Sequence, residues 1–132
     1  MKRILVIDND PDILYTVDLI LKQMTIHVMT AENANDVQTS ISTFKPDLIL
    51  LDILLGGVDG RLICQDIKLK EQSPLVILFS ANAHLLQTYQ DYEADGFIAK
   101  PFDIKDFSNK ISNYLFKLPA KNFAQSHNEY GY

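Results

Sequence analysis

The chain has 132 residues, 47% of them hydrophobic and 22% charged, which is the composition of a globular protein large enough to close one core. Its formal net charge of -5 at pH 7 gives no basic field for phosphate backbones or anionic lipid, so we expect no direct nucleic-acid partner and no membrane insertion. Cys64 is the one cysteine, and no run reaches the ~18 apolar residues of a membrane helix, so we expect a reduced, cytoplasmic protein.

Five short apolar runs alternate with segments of helical spacing along the chain. The runs predict strands that are buried on both faces, at residues 4–7, 26–29, 48–51, 75–79 and 97–99. Each is followed by a predicted helix, at about residues 11–24, 34–44, 59–70, 84–94 and 104–118. Asp10 and Asn33 are predicted N-caps, with Pro11 at the first helical position.

This alternation predicts an α/β fold in which right-handed crossovers place helices on both faces of a parallel sheet. We expect a doubly wound domain with five parallel strands and five helices over residues 1–118. Residues 119–132 are polar and lack any hydrophobic period, which predicts a mobile C-terminal tail.

Polar side chains gather where the predicted strands end, and in an open parallel sheet those carboxyl ends form the reactive edge. They are Asp8, Asn9, Asp10, Asp52, Ser80 and Lys100. Carboxylates within about 4–6 Å repel each other and need a cation, and Mg²⁺ accepts one or two carboxylates with phosphate and water. A carboxylate can also attack a phosphoryl donor while neighbouring cations and hydroxyls offset the charge. The group therefore predicts phosphoryl transfer onto an aspartate of the protein itself.

Four motifs in this order resemble the receiver domains of two-component response regulators, with the flavodoxin-like fold of that family. They are ILVIDNDP at residues 4–11, DLILLDILLGGVDG at residues 47–60, FSA at residues 79–81 and KPF at residues 100–102. The resemblance spans residues 2–118. It implies a signalling module, similar to the chemotaxis regulators, that catalyses only its own phosphorylation and dephosphorylation and is not otherwise an enzyme.

The resemblance implies that Asp52 is the phosphoacceptor, with a sensor histidine kinase or a phosphotransfer protein as donor and Mg²⁺ as cofactor. The positions that hold the metal in the family fall on Asp8, Asn9, Asp52 and the carbonyl of Leu54. The switched output is a protein-protein interaction surface that a downstream target recognises.

Three further positions carry roles by the same resemblance. Ser80 would bind a phosphoryl oxygen, and Lys100 would pair with Asp52 or with the phosphoryl group. Phe97 matches the aromatic residue that changes rotamer on activation in many receivers. The Lys100–Pro101 peptide bond is expected to be cis, and an X-Pro bond adopts cis at a cost of only ~0.5–1 kcal/mol.

Two departures from the family pattern affect the expected site. Asn9 stands where receivers usually carry a second acid, so its amide oxygen can ligate Mg²⁺ but adds no charge, and weaker metal binding is expected. Asp10 could help through a water or could cap the helix at Pro11. Gly56 stands where proline is common, which predicts a looser loop beside Gly57.

Two other functions remain open from the sequence. Asn9 leaves open a pseudo-receiver, which is a binding module of the same fold that works without phosphorylation. Asp8 and Asp10 also resemble the first motif of haloacid dehalogenase-type phosphohydrolases, as nucleophile and general acid, although the 52–60 stretch would then go unexplained. The sequence does not name the kinase or the target, and it leaves a homodimer through the fifth-helix face open.

Overall fold

In a computed structural model of the chain, the described residues are 1–116. The predicted tail, residues 119–132, and the predicted domain boundary after residue 118 lie outside the described residues. Among the residues described, no helix is both long and apolar enough to cross a membrane.

One parallel sheet of five strands runs through the centre of the structure. The strands are β1 (Arg3–Ile7), β2 (His27–Ala31), β3 (Leu48–Asp52), β4 (Leu75–Ser80) and β5 (Gly96–Ala99), in the spatial order β2-β1-β3-β4-β5. This is the flavodoxin-like doubly wound order, so the predicted fold class is confirmed. The register pairs Ile7 with Leu51 and Asp52 with Phe79, which brings the strand ends to one edge.

Five helices cover the two faces of the sheet. They are α1 (Pro11–Gln23), α2 (Val37–Phe44), α3 (Gly60–Lys68), α4 (Ala83–Leu86) and α5 (Ile104–Phe116), with short 3₁₀ turns at Ala34–Asp36 and Tyr89–Tyr92. α1 and α5 bury their apolar stripes on one face, and α2, α3 and α4 bury theirs on the other. Because both faces are covered, β1 and β3 are apolar on both sides, as parallel strands require.

Side-chain caps begin α1, the 3₁₀ turn before α2, and α3. Asp10 accepts a hydrogen bond from the Asp12 N–H at 2.9 Å, ahead of Pro11 at the first helical position. Asn33 caps the 3₁₀ turn before α2, and Asp59 caps α3 by accepting from the Arg61 N–H at 2.9 Å. These contacts satisfy N–H groups that have no partner inside the helix. The predicted helix start at Pro11 is therefore confirmed, whereas behind Asn33 the chain first forms a 3₁₀ turn and α2 begins three residues later than predicted, at Val37.

The predicted fourth helix at residues 84–94 was wrong in length. α4 is four residues long, and the chain continues as a 3₁₀ turn. Thr88 explains the break, because its N–H and its hydroxyl both donate to the Leu85 carbonyl, at 3.1 and 2.6 Å. That carbonyl would accept the N–H of Tyr89 in a continuous α-helix, and such local side-chain bonds compete with helix formation. We refer to residues 83–92 as the α4 segment.

The stretch between β3 and α3, residues 53–59, folds as a small hairpin. Leu54 pairs with Asp59 and Leu55 with Val58 in antiparallel register. Gly56 and Gly57 form the turn with φ of +50° and +89°, and two positive φ angles are typical of a two-residue hairpin turn. The sequence predicted the loose pair of glycines but not the hairpin.

Gly60 closes this loop against the end of β3. Its N–H donates to the Ile53 carbonyl at 2.7 Å, and a Cβ at this position would lie 2.1 Å from the Asp52 carbonyl oxygen. Backbone cannot yield there as a flexible side chain would. The loop and the first turn of α3 therefore require glycine at this point of contact.

We expect Gly60→Ala to lower the free energy of unfolding by about 2–3 kcal/mol, because the added methyl group displaces backbone. Gly56→Asn is the matched control, since that position is open and Asn tolerates a left-handed φ, and its cost should stay below about 1 kcal/mol. Urea unfolding of both variants measures the difference. Equal midpoints would contradict the close contact at Gly60.

Candidate functional site

The carboxyl edge of the sheet forms an open cleft of about 660 Å³. The cleft brings together seven of the eight predicted site residues: Asp8, Asn9, Asp10, Asp52, Leu54, Ser80 and Lys100. Asp52 and Ser80 are the last residues of β3 and β4, while Asp8 and Lys100 directly follow β1 and β5. Phe97 does not line this cleft; it lies three residues before Lys100 on β5.

An ion pair joins the two ends of this edge. The Lys100 ammonium lies 2.6 Å from Asp8 Oδ2 and 3.7 Å from Asp52 Oδ1, so it is held between the two carboxylates but closer to Asp8. Asp8 is fully buried and its Oδ1 accepts the Asp10 N–H at 2.9 Å. The same ammonium lies 4.6 Å from the centroid of the Phe79 ring, a cation-π contact that adds to its position. One cation thus serves two buried anions.

Asp52 carries the charge that is least compensated. Burial raises the pKa of its carboxyl to about 6, and the nearby charge of Asp8 acts in the same direction. Lys100 and the Leu54 N–H, which donates to Oδ1 at 3.2 Å, lower the pKa of Asp52 and offset only part of that shift. The cleft therefore favours a further cation or the transfer of charge to a ligand.

Ser80 lies opposite these charges at the end of β4. Its Oγ accepts the Asn82 N–H at 3.0 Å, and its carbonyl accepts the Lys100 N–H at 2.9 Å. A hydroxyl that accepts from the backbone still has its own hydrogen to donate. Ser80 does not cap α4, because the Asn82 side chain does so by accepting from the Leu85 N–H at 3.1 Å. The Lys100–Pro101 bond is cis, as expected.

Comparison with known proteins decides the family. The response regulator receiver domain family matches residues 4–112 of this chain. The chain belongs to that family. Its two-component receiver identity agrees with the motifs at the four strand ends and with the order of the strands.

Solved receivers share the fold closely. The chain is 29% identical to the response regulator TrrA of Thermotoga maritima in complex with Mg²⁺-BeF, covering 87% of this chain and 100% of that one, with a TM-score of 0.79. It is 27% identical to a CheY-like receiver domain protein of Methanospirillum hungatei, covering 87% and 94% with a TM-score of 0.78. A signal receiver domain of Bermanella marisrubri is also 27% identical, covering 84% and 95%, with a TM-score of 0.78.

The donor set of this receiver fits Mg²⁺, although with fewer charges than a cage of acids. Among residues 1–116, no three acidic, histidine or cysteine side chains converge on one point. Asp8 and Asp52 provide two carboxylates, which is the number that Mg²⁺ commonly takes from protein, with waters completing the octahedron. The raised pKa of Asp52 indicates unsatisfied negative charge at this place. Asn9 is exposed at the rim, and its amide is neutral.

Asp10 has another task in the receiver. Its Oδ1 accepts the Asp12 N–H and so caps α1. Of the two uses that the sequence left open, the capping role is therefore confirmed. Its side chain also lines the cleft.

Phe97 lies on the exposed side of β5 and is 36% exposed. Its ring packs against Tyr89 with centroids 5.2 Å apart and planes at 62°, an edge-to-face arrangement. Tyr89 belongs to the α4 segment, so Phe97 contacts the element that starts three residues after Ser80. The predicted switch residue is thus linked to the cleft through this segment.

Sequence reasoning missed two contributors to the cleft region. Asn82 positions Ser80 and caps α4, and its place two residues after the predicted Ser80 was the available signal. Arg61 contacts both Asp59 and Thr88, a connection across 27 residues that no local pattern announces. His84 also lines the cleft.

We expect Asp52→Asn to stabilise the receiver at neutral pH and not in acid. The folded state raises the pKa of this carboxyl from 3.8 to about 6, so it holds the proton more tightly than the unfolded chain does. Stability is therefore lost as pH rises from about 4 to about 6, and the neutral amide avoids that loss. The gain should be about 2–3 kcal/mol at about pH 8 and near zero at about pH 4.

Urea unfolding of native and Asp52→Asn protein at the two pH values measures this difference. Asp95→Asn is a control at an acid that pairs with Lys68 away from the cleft, and it should not show the same pH dependence. A gain from Asp52→Asn that is equal at both pH values would contradict the assigned charge imbalance.

Proposed function

We propose that this receiver accepts a phosphoryl group on Asp52 from a histidine kinase or a phosphotransfer protein. Family members are signalling proteins rather than enzymes with separate substrates. The observation that carries the proposal is the position of Asp52: a buried carboxylate that lines an open cleft, 3.7 Å from the Lys100 ammonium, with Ser80 lining the same cleft. The chemistry follows from what each group can do there.

Asp52 acts as the nucleophile. Its Oδ1 is engaged by the Leu54 N–H and approached by Lys100, which leaves Oδ2 without an N–H donor among the described residues. An oxygen of this carboxylate attacks phosphorus, the bond from phosphorus to the imidazole nitrogen of the donor breaks, and that nitrogen keeps the electron pair. The product is an acyl phosphate on Asp52. Hydrolysis of the acyl phosphate returns inorganic phosphate and the free carboxylate.

Lys100 and Ser80 stabilise the phosphoryl oxygens in this proposal. The ammonium needs to move little, since it already lies 3.7 Å from Asp52, and the Ser80 hydroxyl can donate to an oxygen of the group. Mg²⁺, held by Asp8, Asp52 and the Leu54 carbonyl with help from Asn9, would neutralise charge on the same oxygens. TrrA, a similar receiver, was solved with Mg²⁺-BeF, which supports Mg²⁺ here.

The output of the proposed switch is the surface of the α4 segment, β5 and α5. We infer that phosphorylation moves Ser80 and Phe97 and so shifts the population of two states of that surface, which includes Thr88, Asp91 and Lys105. A downstream protein binds there, and the same face could pair two copies through α5. We place these events in the cytoplasm, where a kinase can reach the cleft.

A phosphohydrolase with Asp8 as nucleophile is disfavoured by two contacts. Asp8 is fully buried and its two oxygens are engaged by Lys100 and by the Asp10 N–H. Asp10, which would be the general acid, caps α1 instead. Asn9 supports the other alternative, a pseudo-receiver, because it removes one charge from the metal position.

Intact mass after incubation with Mg²⁺ and acetyl phosphate tests the proposed function. The native protein should gain one phosphoryl group, and Asp52→Asn should gain none, because its amide is not a nucleophile. Ser73→Ala is a control for nonspecific hydroxyl phosphorylation, since Ser73 lies outside the cleft. Loss of the modification in Asp8→Asn but not in Asp52→Asn would point to the hydrolase reading, and no modification at saturating Mg²⁺ would favour the pseudo-receiver.

Asn9→Asp should strengthen Mg²⁺ binding, because the added carboxylate attracts the cation. A unit charge within about 4 Å contributes about 1–4 kcal/mol at effective dielectrics of 80 to 20, so we expect the half-saturating Mg²⁺ concentration to fall about tenfold. The rate of phosphorylation against Mg²⁺ concentration measures it. Asp10→Asn is the companion variant: it keeps the capping oxygen, so any weakening reports the charge of Asp10 alone. An unchanged Mg²⁺ requirement in Asn9→Asp would show that Asn9 lies outside the metal sphere.

A further inference from the structure

Arg61 is the second residue of α3, and its guanidinium contacts three side chains, those of Asp59, Thr88 and Tyr92. Nε and Nη2 donate to the Asp59 carboxylate, with distances of 3.1 Å to Oδ1 and 2.8 Å to Oδ2. Nη1 donates to Thr88 Oγ1 at 3.0 Å. The guanidinium carbon lies 4.7 Å from the centroid of the Tyr92 ring. A planar fork with several fixed donors suits this task, and a lysine could not make the same set of contacts.

At one end, Arg61 contacts residues 53–59, which we call the phosphorylation loop because they follow Asp52. Asp59 is the last residue of the hairpin and pairs with Leu54 across it. Leu54 in turn donates its N–H to Asp52 Oδ1. The turn of the hairpin consists of Gly56 and Gly57, which restrain the backbone weakly. Arg61 therefore anchors the C-terminal end of the loop.

The other end holds the α4 segment. This segment has a single four-residue turn of α-helix, so backbone hydrogen bonds of a regular helix fix it only in part. Thr88 accepts from Arg61 while its own hydroxyl donates to the Leu85 carbonyl at 2.6 Å. Tyr92 packs under the guanidinium, and Tyr89 contacts Phe97. The contacts of Arg61 thus fall on the part of the segment that leads to the proposed switch residue.

We propose that Arg61 is a positioning residue that couples the phosphorylation loop to the α4 segment, so that a change at either end alters the stability of the other. The pair with Asp59 is two-pronged, with Nε 3.1 Å from Oδ1 and Nη2 2.8 Å from Oδ2, and it lowers the pKa of Asp59 and raises that of Arg61. Arg61 joins the two elements through direct side-chain contacts, and this link is separate from any coupling through Ser80. Its use in signalling rests on the proposed function, whereas the coupling itself is present in the unphosphorylated protein.

Reciprocal amide exchange tests the coupling without phosphorylation. Thr88→Val removes the acceptor at the segment, and Asp59→Asn releases the guanidinium while keeping an oxygen that can cap α3. If Arg61 couples the two elements, Thr88→Val speeds exchange in residues 53–59, and Asp59→Asn speeds exchange in the α4 segment. We expect an increase of about five- to tenfold in each direction for the loss of a hydrogen bond to an ion.

Three further variants separate coupling from general loss of structure. Arg61→Gln should speed exchange in both elements at once. Thr88→Ser keeps the hydroxyl and should restore native exchange in residues 53–59. Arg3→Gln is the matched control, because the Arg3 guanidinium also bonds a residue distant in the sequence, at the Lys45 carbonyl, but at the opposite end of the sheet. It should leave both elements unchanged.

Phosphorylation then shows how the coupling is used. The mass measurement first identifies the phosphorylated native protein. Amide-exchange rates in the α4 segment are then measured with and without the phosphoryl group, in native and in Thr88→Val protein. The ratio of the two rates is compared between the two proteins. The native ratio should fall by at least half in the variant. A merely structural role of Arg61 would raise exchange in both states and leave the ratio as it was.

The two proposals fail in different ways. Exchange that changes only in the element carrying each substitution would overturn the coupling role of Arg61 and leave phosphorylation of Asp52 intact. An exchange ratio that is the same in native and Thr88→Val protein would overturn the use of the coupling in signalling. Absence of a phosphoryl group in the native protein, with reciprocal exchange still observed, would overturn the proposed function alone and retain the coupling.

Discussion

The ammonium of Lys100 between Asp8 and Asp52 is the contact on which the carboxyl edge of this sheet depends. It joins residues 92 positions apart in the sequence and lies against two buried carboxylates, one of them with no exposed surface. Such a pair stabilises little by itself, because removing the charges from water costs about as much as their attraction returns. Its significance is that one cation is too few for two anions. The arrangement is therefore suited to receive a metal ion and a phosphoryl group.

The loop that follows Asp52 is held in place by contacts at both of its ends. Gly60 lies so close to the Asp52 carbonyl that no side chain fits, and the hairpin between them carries the Leu54 N–H to Asp52. Because the same loop ends at Asp59, which Arg61 holds, its position is tied to the α4 segment as well as to β3. A short, irregular segment is a reasonable element to move, since regions with few regular hydrogen bonds open at low free energy.

Local patterns predicted most of the fold, and contacts between distant residues account for what they missed. The strands, the start of α1 behind Asp10 and the cluster at the strand ends followed from apolar runs, caps and the topology of parallel sheets. The fourth helix was predicted too long, because the Thr88 hydroxyl competes for a backbone carbonyl and is itself fixed by Arg61. The raised pKa of Asp52 could not be predicted from the sequence either, since it depends on burial and on the distance to Asp8. Of the predicted site, only Phe97 lies apart from the cleft, because its place on β5 directs it to Tyr89.

The pKa of the Asp52 carboxyl, followed by carbon NMR of its side chain with and without Mg²⁺, tests the central claim most directly. Asp52→Asn identifies the resonance by its absence. If two buried carboxylates share one ammonium, the pKa of Asp52 lies near 6 in metal-free protein and falls when Mg²⁺ binds. A pKa near the ordinary value of 3.8 that does not respond to Mg²⁺ would contradict the account, because the cleft would then hold no unbalanced charge for a metal or a phosphoryl group to neutralise.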